Sequence, residues 1–374
     1  MLTVAAVLAI FVYGIIAAML GTILPDISKR FNLTPKQNGN IAMAQAIGLM
    51  IGGFSVGPLT DIQGKKVGLL LALGLIIVGL LGVKAAKGYG SVATFMFILG
   101  CGGGALVTAG NTLPPFIKLD GLTTGGVFNL LNLFFGLGGL VTPLIAANLF
   151  KYQTGKLLMF ASALALISFV VSAVTDMPGA SGEVAFQAST VTDLLARPAL
   201  LALALMLFLY VACEVGVWNW LVRHLIAQGV PEGKALTILS LGFALGLLLG
   251  RVVVSPVLTH ISAERVLFAS GAFMAVTTYI MLQSRSNSVA WITVFLAGIA
   301  MAPVFPTTLA VVNTRFAQTA ATATGIATTA GWLGLVVSSP IIGGIAGDDP
   351  RRLKKALLVL PAFSIVMAVV ALAL

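Results

Sequence analysis

The segment Leu200–Arg223, LLALALMLFLYVACEVGVWNWLVR, decides the fold of this chain. Its apolar run is long enough for an α-helix to cross the hydrocarbon core of a bilayer, which takes about 20 residues. Runs of similar length and character lie on both sides of it, separated by short polar stretches. The sequence therefore predicts a helical protein that crosses the membrane many times.

Glu214 is the exceptional residue of this segment. The other ten of the eleven acidic residues fall in polar breaks or at segment ends. An ionisable group at membrane depth costs roughly 3 kcal/mol or more, so we interpret Glu214 as functional. Tyr210, Glu214 and Trp218 are four residues apart, which predicts one stripe along a helix. A carboxylate flanked by aromatic rings suits a polyhydroxylated or cationic solute. The alternative is a glutamate bonded to a neighbouring helix, beside an aromatic interface belt.

Composition supports the membrane interpretation over the whole chain. The 374 residues are 59% hydrophobic and only 9% charged, whereas soluble domains are about 25% charged. Long unbroken runs indicate helices, because the strands of a membrane barrel are short and alternating. Cys101 and Cys213 lie inside apolar runs, so we expect no disulfide, metal site or other cofactor. The net charge of +10 does not indicate nucleic-acid binding, because the basic residues are scattered over many short loops.

We count twelve spans of roughly 20 residues each. Their predicted limits are 3–25, 39–59, 66–86, 91–116, 126–149, 156–175, 199–222, 235–253, 264–282, 289–312, 323–346 and 355–374. The longest polar stretch, 176–198, is predicted to be a cytoplasmic linker, with either a short helix over Thr190–Ala196 or no regular structure. It separates two six-helix bundles, 1–175 and 199–374.

The two halves repeat each other weakly. Corresponding spans carry proline breaks, in NTLPPF at Asn111–Phe116 and PVFPTT at Pro303–Thr308. Glycines recur in the second and eighth spans, at Gly48, Gly52, Gly53 and Gly57 and at Gly242, Gly246 and Gly250. Such matched interruptions are typical of a transporter built from repeats, with its site at the interface of the halves. The predicted fold is an all-α integral membrane protein with twelve transmembrane helices in two pseudosymmetric six-helix bundles.

The segment Gly57–Gly68, GPLTDIQGKKVG, is predicted to be the loop between the second and third spans. It resembles the Gly-x-x-x-Asp-x-x-Gly-Arg/Lys-Lys signature of the major facilitator superfamily. The resemblance implies a cytoplasmic loop whose acidic and basic residues hold helices together in one conformational state. The alternative for the two lysines is ordinary anchoring at the cytoplasmic membrane surface. The matching positions are Gly57, Asp61, Gly64, Lys65 and Lys66.

Several stretches are similar to the fucose permease-like branch of this superfamily. That branch imports sugars and related polyols, usually with protons, and the resemblance implies the same class of solute here. The stretches are Leu24–Gly39, Ala109–Phe116, Phe128–Ile145, Tyr210–Leu221 and Ala302–Ala310.

Two positions depart from that branch. Fucose permeases carry one acid late in the first helix and another in the fourth, and the matching residues here are Gly21 and Val107. Either Glu214 has taken over proton coupling, since a carboxyl group can take and release a proton, or transport is uncoupled. The asparagine of the branch's fifth-helix motif has a counterpart in Asn129, with Asn132 one turn further on.

A sugar site needs groups that donate and accept hydrogen bonds, because a buried polar atom without a partner costs about 1–3 kcal/mol. Amides meet this need better than a single charge. The alternative for each amide is an interhelical hydrogen bond without a ligand, worth roughly 1 kcal/mol. The candidates in the first half are Tyr13, Gln45, Asn111, Asn129 and Asn132. Those in the second half are Tyr210, Glu214, Trp218, Asn219, Asn313, Thr329 and Trp332.

The basic residues oppose the orientation that the signature implies. With both ends of the chain in the cytoplasm, fourteen of the 21 basic residues lie on the outer side, so the positive-inside rule predicts the opposite topology. We adopt the orientation of the signature. The seven basic residues then on the cytoplasmic side are Lys65, Lys66, Lys118, Arg197, Arg251, Arg265 and Arg315.

The sequence thus predicts a secondary active transporter, a monomer in the bacterial inner membrane, that moves a small neutral solute by alternating access. A sugar or sugar derivative is the expected solute, with proton coupling through Glu214 as an option. Other hypotheses are an exporter of amphipathic drugs or lipid-like compounds and a membrane receptor or sensor without transport. We do not expect an enzyme, because no nucleophile–base pair or phosphate-binding loop is evident.

Overall fold

The computed structural model describes residues 1–179, 188–284, 286–347 and 350–374. In this part of the chain, every regular element is helical, and twelve segments are long and apolar enough to span a membrane. The prediction of an all-α protein with twelve spans is therefore confirmed. The spans are Leu2–Arg30, Pro35–Gln63, Lys65–Ala85, Tyr89–Phe116, Thr124–Asn148, Thr154–Val174, Pro198–Ala227, Glu232–Val257, Ala263–Gln283, Asn287–Arg315, Ala317–Ala346 and Arg352–Leu372.

Three of these spans consist of more than one α-helix, so the helices are numbered separately along the chain. A π-helical turn, Ile238–Phe243, joins two of the helices within the eighth span. The α-helices are α1 Leu2–Arg30, α2 Pro35–Gln63, α3 Lys65–Ala85, α4 Tyr89–Gly110, α5 Thr124–Asn148, α6 Thr154–Val174, α7 Ala188–Leu195, α8 Pro198–Ala227, α9 Glu232–Thr237, α10 Ala244–Val257, α11 Ala263–Gln283, α12 Asn287–Met301, α13 Val304–Arg315, α14 Ala320–Ala346, α15 Pro350–Leu357 and α16 Val359–Leu372.

The chain forms two compact units. The first contains residues 1–118, 131–195 and 312–329, and the second contains 119–130, 196–311 and 330–374. The units follow the two sequence halves except for two short segments, 119–130 and 312–329, each of which groups with the other half.

The same pattern of helix packing occurs in each unit. In the first, α1 packs on α6, α2 on α4, and α3 on both α4 and α6. In the second, the helices six spans later repeat these pairs: α8 packs on α16, α10 on α12, and α11 on both α12 and α16. This repetition is the pseudosymmetry that the glycine and proline pattern predicted.

Some of the repeated glycines lie at close contacts between equivalent helices. Gly52 of α2 faces the backbone of Cys101 in α4, and a methyl group on Gly52 would overlap it. Gly246 of α10 faces the backbone of Phe295 in α12 in the same way. Small residues at such contacts let helix backbones approach, which stabilises association in a membrane.

Proline interrupts the two spans where breaks were predicted. α4 ends at Gly110 and is followed by a 3-10 turn, Pro114–Phe116. In the tenth span, α12 ends at Met301 and α13 begins at Val304, so the break lies at Ala302 and Pro303.

The prediction of a loop over Gly57–Gly68 is wrong. α2 continues to Gln63 and α3 begins at Lys65, so Gly64 alone connects them. Gly64 has φ 94°, a backbone conformation that glycine adopts at little cost. Because the turn takes a single residue, Asp61 lies in the last turn of a helix and not in a loop. In the stretch predicted to be a linker, residues 180–187 lie outside the described part, and α7 follows close to the expected short helix.

Candidate functional site

The predicted stripe of Tyr210, Glu214 and Trp218 lies along α8. This helix runs unbroken over 30 residues. Pro198 does not interrupt it, because Pro198 is its first residue, where a backbone N–H would have no intrahelical acceptor. Exposure increases along the stripe: Tyr210 is 1% exposed, Glu214 is partly buried and Trp218 is 37% exposed. The carboxyl group therefore lies where this face passes from packed interior to accessible surface.

Aromatic rings from two other segments of the second unit contact the stripe. The rings of Tyr210 and Phe305 have centroids 6.2 Å apart. Trp218 meets Phe243 edge-on, with centroids 5.3 Å apart. Phe243 ends the π-helical turn between α9 and α10, a local geometry that often occurs at functional sites.

Arg251 is a residue of this region that the sequence analysis did not recognise. The sequence predicts it among the basic residues of the cytoplasmic side, but it lies inside α10 and is only 3% exposed. The Glu214 carboxyl group lies near the Arg251 guanidinium, the Tyr210 hydroxyl and the Trp218 indole. A buried charge is tolerated when it is paired and hydrogen-bonded. The available signal was the position of Arg251 inside an apolar run, the same feature that singled out Glu214.

The Asn129 side chain donates two hydrogen bonds within the protein, while its carbonyl oxygen has no donor among the described residues. Its Nδ2 donates to the Gly125 carbonyl oxygen and to the Thr307 hydroxyl, both at 3.0 Å. Its Oδ1 is buried and has no hydrogen-bond partner in the described part of the chain. Because such an atom costs about 1–3 kcal/mol, a solute hydroxyl that donates to it would bind favourably.

Two further amides of the candidate set are paired with each other in the first unit. Asn132 donates to Oδ1 of Asn111 at 3.1 Å, and Asn111 donates to the Val107 carbonyl oxygen at 2.8 Å. Both side chains are buried. The bond between Asn132 and Asn111 corresponds to the interhelical role that is the alternative to solute binding.

The other candidates of the first unit also have packing partners. Tyr13 stacks on Phe135 with ring centroids 5.0 Å apart. Asn313 donates to the Thr324 hydroxyl at 3.0 Å, and the Thr329 hydroxyl donates to the Met50 carbonyl oxygen at 3.4 Å. Gln45 is buried in α2.

The two remaining candidates belong to the second unit and differ in exposure. Asn219 is exposed on α8, one residue beyond the stripe, whereas Trp332 is buried in α14. The structure thus brings Tyr210, Glu214 and Trp218 together with Arg251, and it pairs Asn111 with Asn132 in the first unit.

Asp61 of the predicted conformational motif caps the beginning of α14. Its Oδ1 accepts from the Ala321 backbone N–H at 3.0 Å, and its Oδ2 accepts from the Thr322 N–H at 2.8 Å and hydroxyl at 2.7 Å. These N–H groups lie in the first turn of α14, where no intrahelical acceptor is available. A carboxylate at this end also interacts favourably with the helix dipole.

Lys65 is buried, contrary to the alternative of a lysine at the membrane surface. It is 3% exposed, donates to the Gly179 carbonyl oxygen at 3.4 Å and lies 4.8 Å from the centre of the Phe116 ring. Lys66 is more accessible. Gly57 faces the backbone of Ala321 and Thr322, where a side chain would push α14 away from Asp61. The motif thus holds α14 against α2.

The family model described as Major Facilitator Superfamily matches residues 6–339. Among curated proteins, Bypass of stop codon protein 6 of Saccharomyces cerevisiae is 25% identical over 347 residues, which is 81% of this chain and 68% of that protein.

Among solved structures, the chain is similar to FucP, the E. coli fucose:proton symporter, in the outward conformation. The TM-score is 0.86 and the identity 19%, over 99% of this chain and 98% of that chain. The proton:xylose symporter XylE gives a TM-score of 0.80 and 14% identity, over 98% and 94% of the two chains. At such low identity, this similarity shows the shared fold.

Proposed function

The chain belongs to the major facilitator superfamily, and we propose that it carries a small neutral solute, a sugar or sugar derivative, across the membrane by alternating access. The observation that carries this proposal is the stripe of Tyr210, Glu214 and Trp218, in which a partly buried carboxyl group lies beside an exposed aromatic ring. The carboxylate can accept from sugar hydroxyls, and the ring offers an apolar face for the C–H side of a sugar. The similarity in fold to two sugar:proton symporters agrees with this class of solute.

Asn129 complements the stripe within the second unit. Its buried, unpaired Oδ1 accepts a hydrogen bond, and so it suits a solute that presents hydroxyl donors. A hydrophobic solute without hydroxyl groups would leave this acceptor unsatisfied.

Glu214 is the proposed site of proton coupling. The positions that carry acids in the first and fourth helices of fucose permeases hold Gly21 and Val107 here. A protonated carboxyl group donates a hydrogen bond, whereas the ionised group only accepts, so proton and solute occupancy can be linked at one side chain.

A ligand screen tests the solute class. Purified protein is heated with a panel of neutral sugars, polyols and amphiphiles, because a ligand that binds only the folded state raises the melting temperature. Compounds that stabilise the protein are then tested for uptake into proteoliposomes. We expect a sugar or polyol to stabilise the protein and to be taken up.

Three outcomes would contradict the proposal. Stabilisation and transport of hydroxyl-free amphiphiles alone would indicate an exporter of such compounds. Stabilisation by a sugar that is not transported would indicate a receptor. Unchanged affinity for the sugar in a Trp218→Ala variant would show that the stripe is not part of the binding site.

A further inference from the structure

One end of the first unit carries an excess of basic residues that the proposed transport function does not use. At this end, α1 finishes, α2 and α4 begin, α3 finishes and α6 begins. The Asn38 amide donates to the Ser28 hydroxyl at 2.9 Å, and the Asn40 amide to the Tyr89 hydroxyl at 3.1 Å, so these helix ends are in contact. The exposed basic residues here are Lys29, Arg30, Lys36, Lys84, Lys87, Lys151 and Lys156, with Asp26 as the one acid within residues 24–40, 84–91 and 149–156.

A groove of about 760 Å³ opens at this end, between the last turn of α3 and the first turns of α6. Two lysines, Lys84 from α3 and Lys156 from α6, border it, and its lining contains no carboxylate. The complete lining is Lys84, Phe150, Gln153, Gly155, Lys156, Met159, Phe160 and Ala163.

The polar part of the groove suits an anion. Lys84 and Lys156 border the groove beside the beginning of α6, where the first two backbone N–H groups, those of Thr154 and Gly155, have no intrahelical acceptor. Gln153 precedes this helix and makes no side-chain capping bond to it. Two cations and a helix N-terminus together form a favourable environment for a phosphate group.

The remainder of the groove suits a hydrocarbon chain. Met159, Phe160 and Ala163 follow one another along α6, away from the lysines and into the membrane-spanning part of that helix. The Phe150 ring packs against Phe160 with centroids 5.7 Å apart and supports this wall. A ligand that fills the whole groove therefore has a negatively charged head and an apolar tail.

We propose that the groove between α3 and α6 binds an anionic phospholipid, with its phosphate between Lys84 and Lys156 and an acyl chain along Met159, Phe160 and Ala163. Basic pockets between transmembrane helices bind phospholipid head groups in this way. The site also gives a role to basic residues on the side where the positive-inside rule did not expect them. It is separate from the stripe on α8 and does not depend on the identity of the solute.

Native mass spectrometry of the full chain tests this proposal. The protein in detergent is titrated with phosphatidylglycerol and with phosphatidylcholine that carry the same acyl chains. We expect one phosphatidylglycerol to bind more tightly than phosphatidylcholine. The double variant Lys84→Gln, Lys156→Gln is expected to lose roughly thirtyfold in affinity for phosphatidylglycerol, about fivefold for each basic residue removed from the anionic lipid.

Two further variants separate the groove from the general positive charge. Lys29→Gln with Lys36→Gln removes the same charge at the same end outside the groove, and we expect phosphatidylglycerol binding to stay within twofold. Ala163→Phe fills the apolar wall while leaving both lysines, and we expect it to weaken binding. Equal loss in both double variants would overturn the assignment to this groove, as would no loss in the Lys84, Lys156 variant when its melting temperature shows that it is folded.

Competition with sn-glycerol 3-phosphate distinguishes a lipid from a soluble phosphate. We expect millimolar glycerol phosphate to leave the bound phosphatidylglycerol in place, because it lacks the acyl chain that occupies the wall. Complete displacement would overturn the proposal and identify a site for soluble phosphates.

Discussion

Glu214 and Arg251 are ionisable residues within spans of the second unit, and they lie near enough to interact electrostatically. A charge removed from water is tolerated when its partner and further hydrogen bonds compensate the loss of hydration. The Tyr210 hydroxyl is a neighbour of both groups. A change in the charge of Glu214 therefore changes the electrostatic environment of both Arg251 and Tyr210.

Asn129→Ala and Tyr210→Ala are each expected to weaken solute binding by roughly 1–2 kcal/mol, the cost of losing one buried hydrogen bond. Equilibrium binding of the best sugar from the screen measures this. Thr307→Val is the matched control, because it removes the bond between Thr307 and Asn129 while leaving the Asn129 acceptor available. Unchanged affinity in both alanine variants would show that the solute binds elsewhere. If Thr307→Val weakens binding as much as Asn129→Ala does, Asn129 stabilises the structure and does not bind the solute.

The sequence could identify Glu214 and the stripe because helical spacing and membrane depth follow from the residue order alone. It could not identify the unpaired acceptor of Asn129 or the pairing of Asn111 with Asn132. Those depend on which helix packs beside which, and hence on tertiary contacts that residue spacing does not contain. The burial of Arg251 could have been predicted, since the residue lies in an apolar run. Its position near the end of the predicted eighth span instead favoured the cytoplasmic side.

Among the helices, the contact between α2 and α14 depends on Asp61, whose carboxylate accepts three hydrogen bonds from the first turn of α14. The single-residue turn at Gly64 makes this possible, because it keeps Asp61 on a helix. A conformational change that separates α14 from α2 must break all three bonds together. We therefore expect the motif to favour one state of the transport cycle.

Asp61→Asn is expected to reduce transport while equilibrium binding of the solute stays within a few-fold. Asparagine keeps one acceptor oxygen but loses the charge that interacts with the dipole of α14 and the second acceptor. Uptake into proteoliposomes and solute binding are measured on the same preparation. Asp26→Asn, an exposed carboxylate in α1, is the control and should change neither. Loss of binding by folded Asp61→Asn protein would be inconsistent with a purely conformational role.

Gly52→Ala is expected to destabilise the first unit by roughly 2 kcal/mol, because the added methyl group overlaps the Cys101 backbone and forces α2 away from α4. Gly74→Ala is the matched control. A methyl group on Gly74 of α3 meets no atom within 4 Å, so this variant should be neutral or slightly more stable. Thermal unfolding in detergent compares them. Equal melting temperatures would show that the close approach of α2 and α4 does not limit stability.

Over the whole molecule, the number of spans could be predicted because bilayer thickness fixes the length of each apolar run. The repeat was also visible, since equivalent helix contacts need equivalent glycines. The grouping of residues 119–130 and 312–329 with the opposite units was not predictable. It arises from contacts such as those of Asp61 with α14 and of Asn129 with Thr307, which join residues far apart in the sequence.

We propose that the chain couples solute transport to protons through Glu214, and the variant Glu214→Gln separates this coupling from solute binding. Glutamine keeps the size and hydrogen bonding of the side chain but cannot titrate. Proteoliposomes containing unmodified or variant protein are assayed for exchange of the sugar across the membrane and for its accumulation under an inward proton gradient. We expect both proteins to exchange the sugar, and only the unmodified protein to accumulate it. Accumulation by the variant at the unmodified level, or transport by the unmodified protein without any proton movement, would contradict the coupling and leave Glu214 as a binding residue alone.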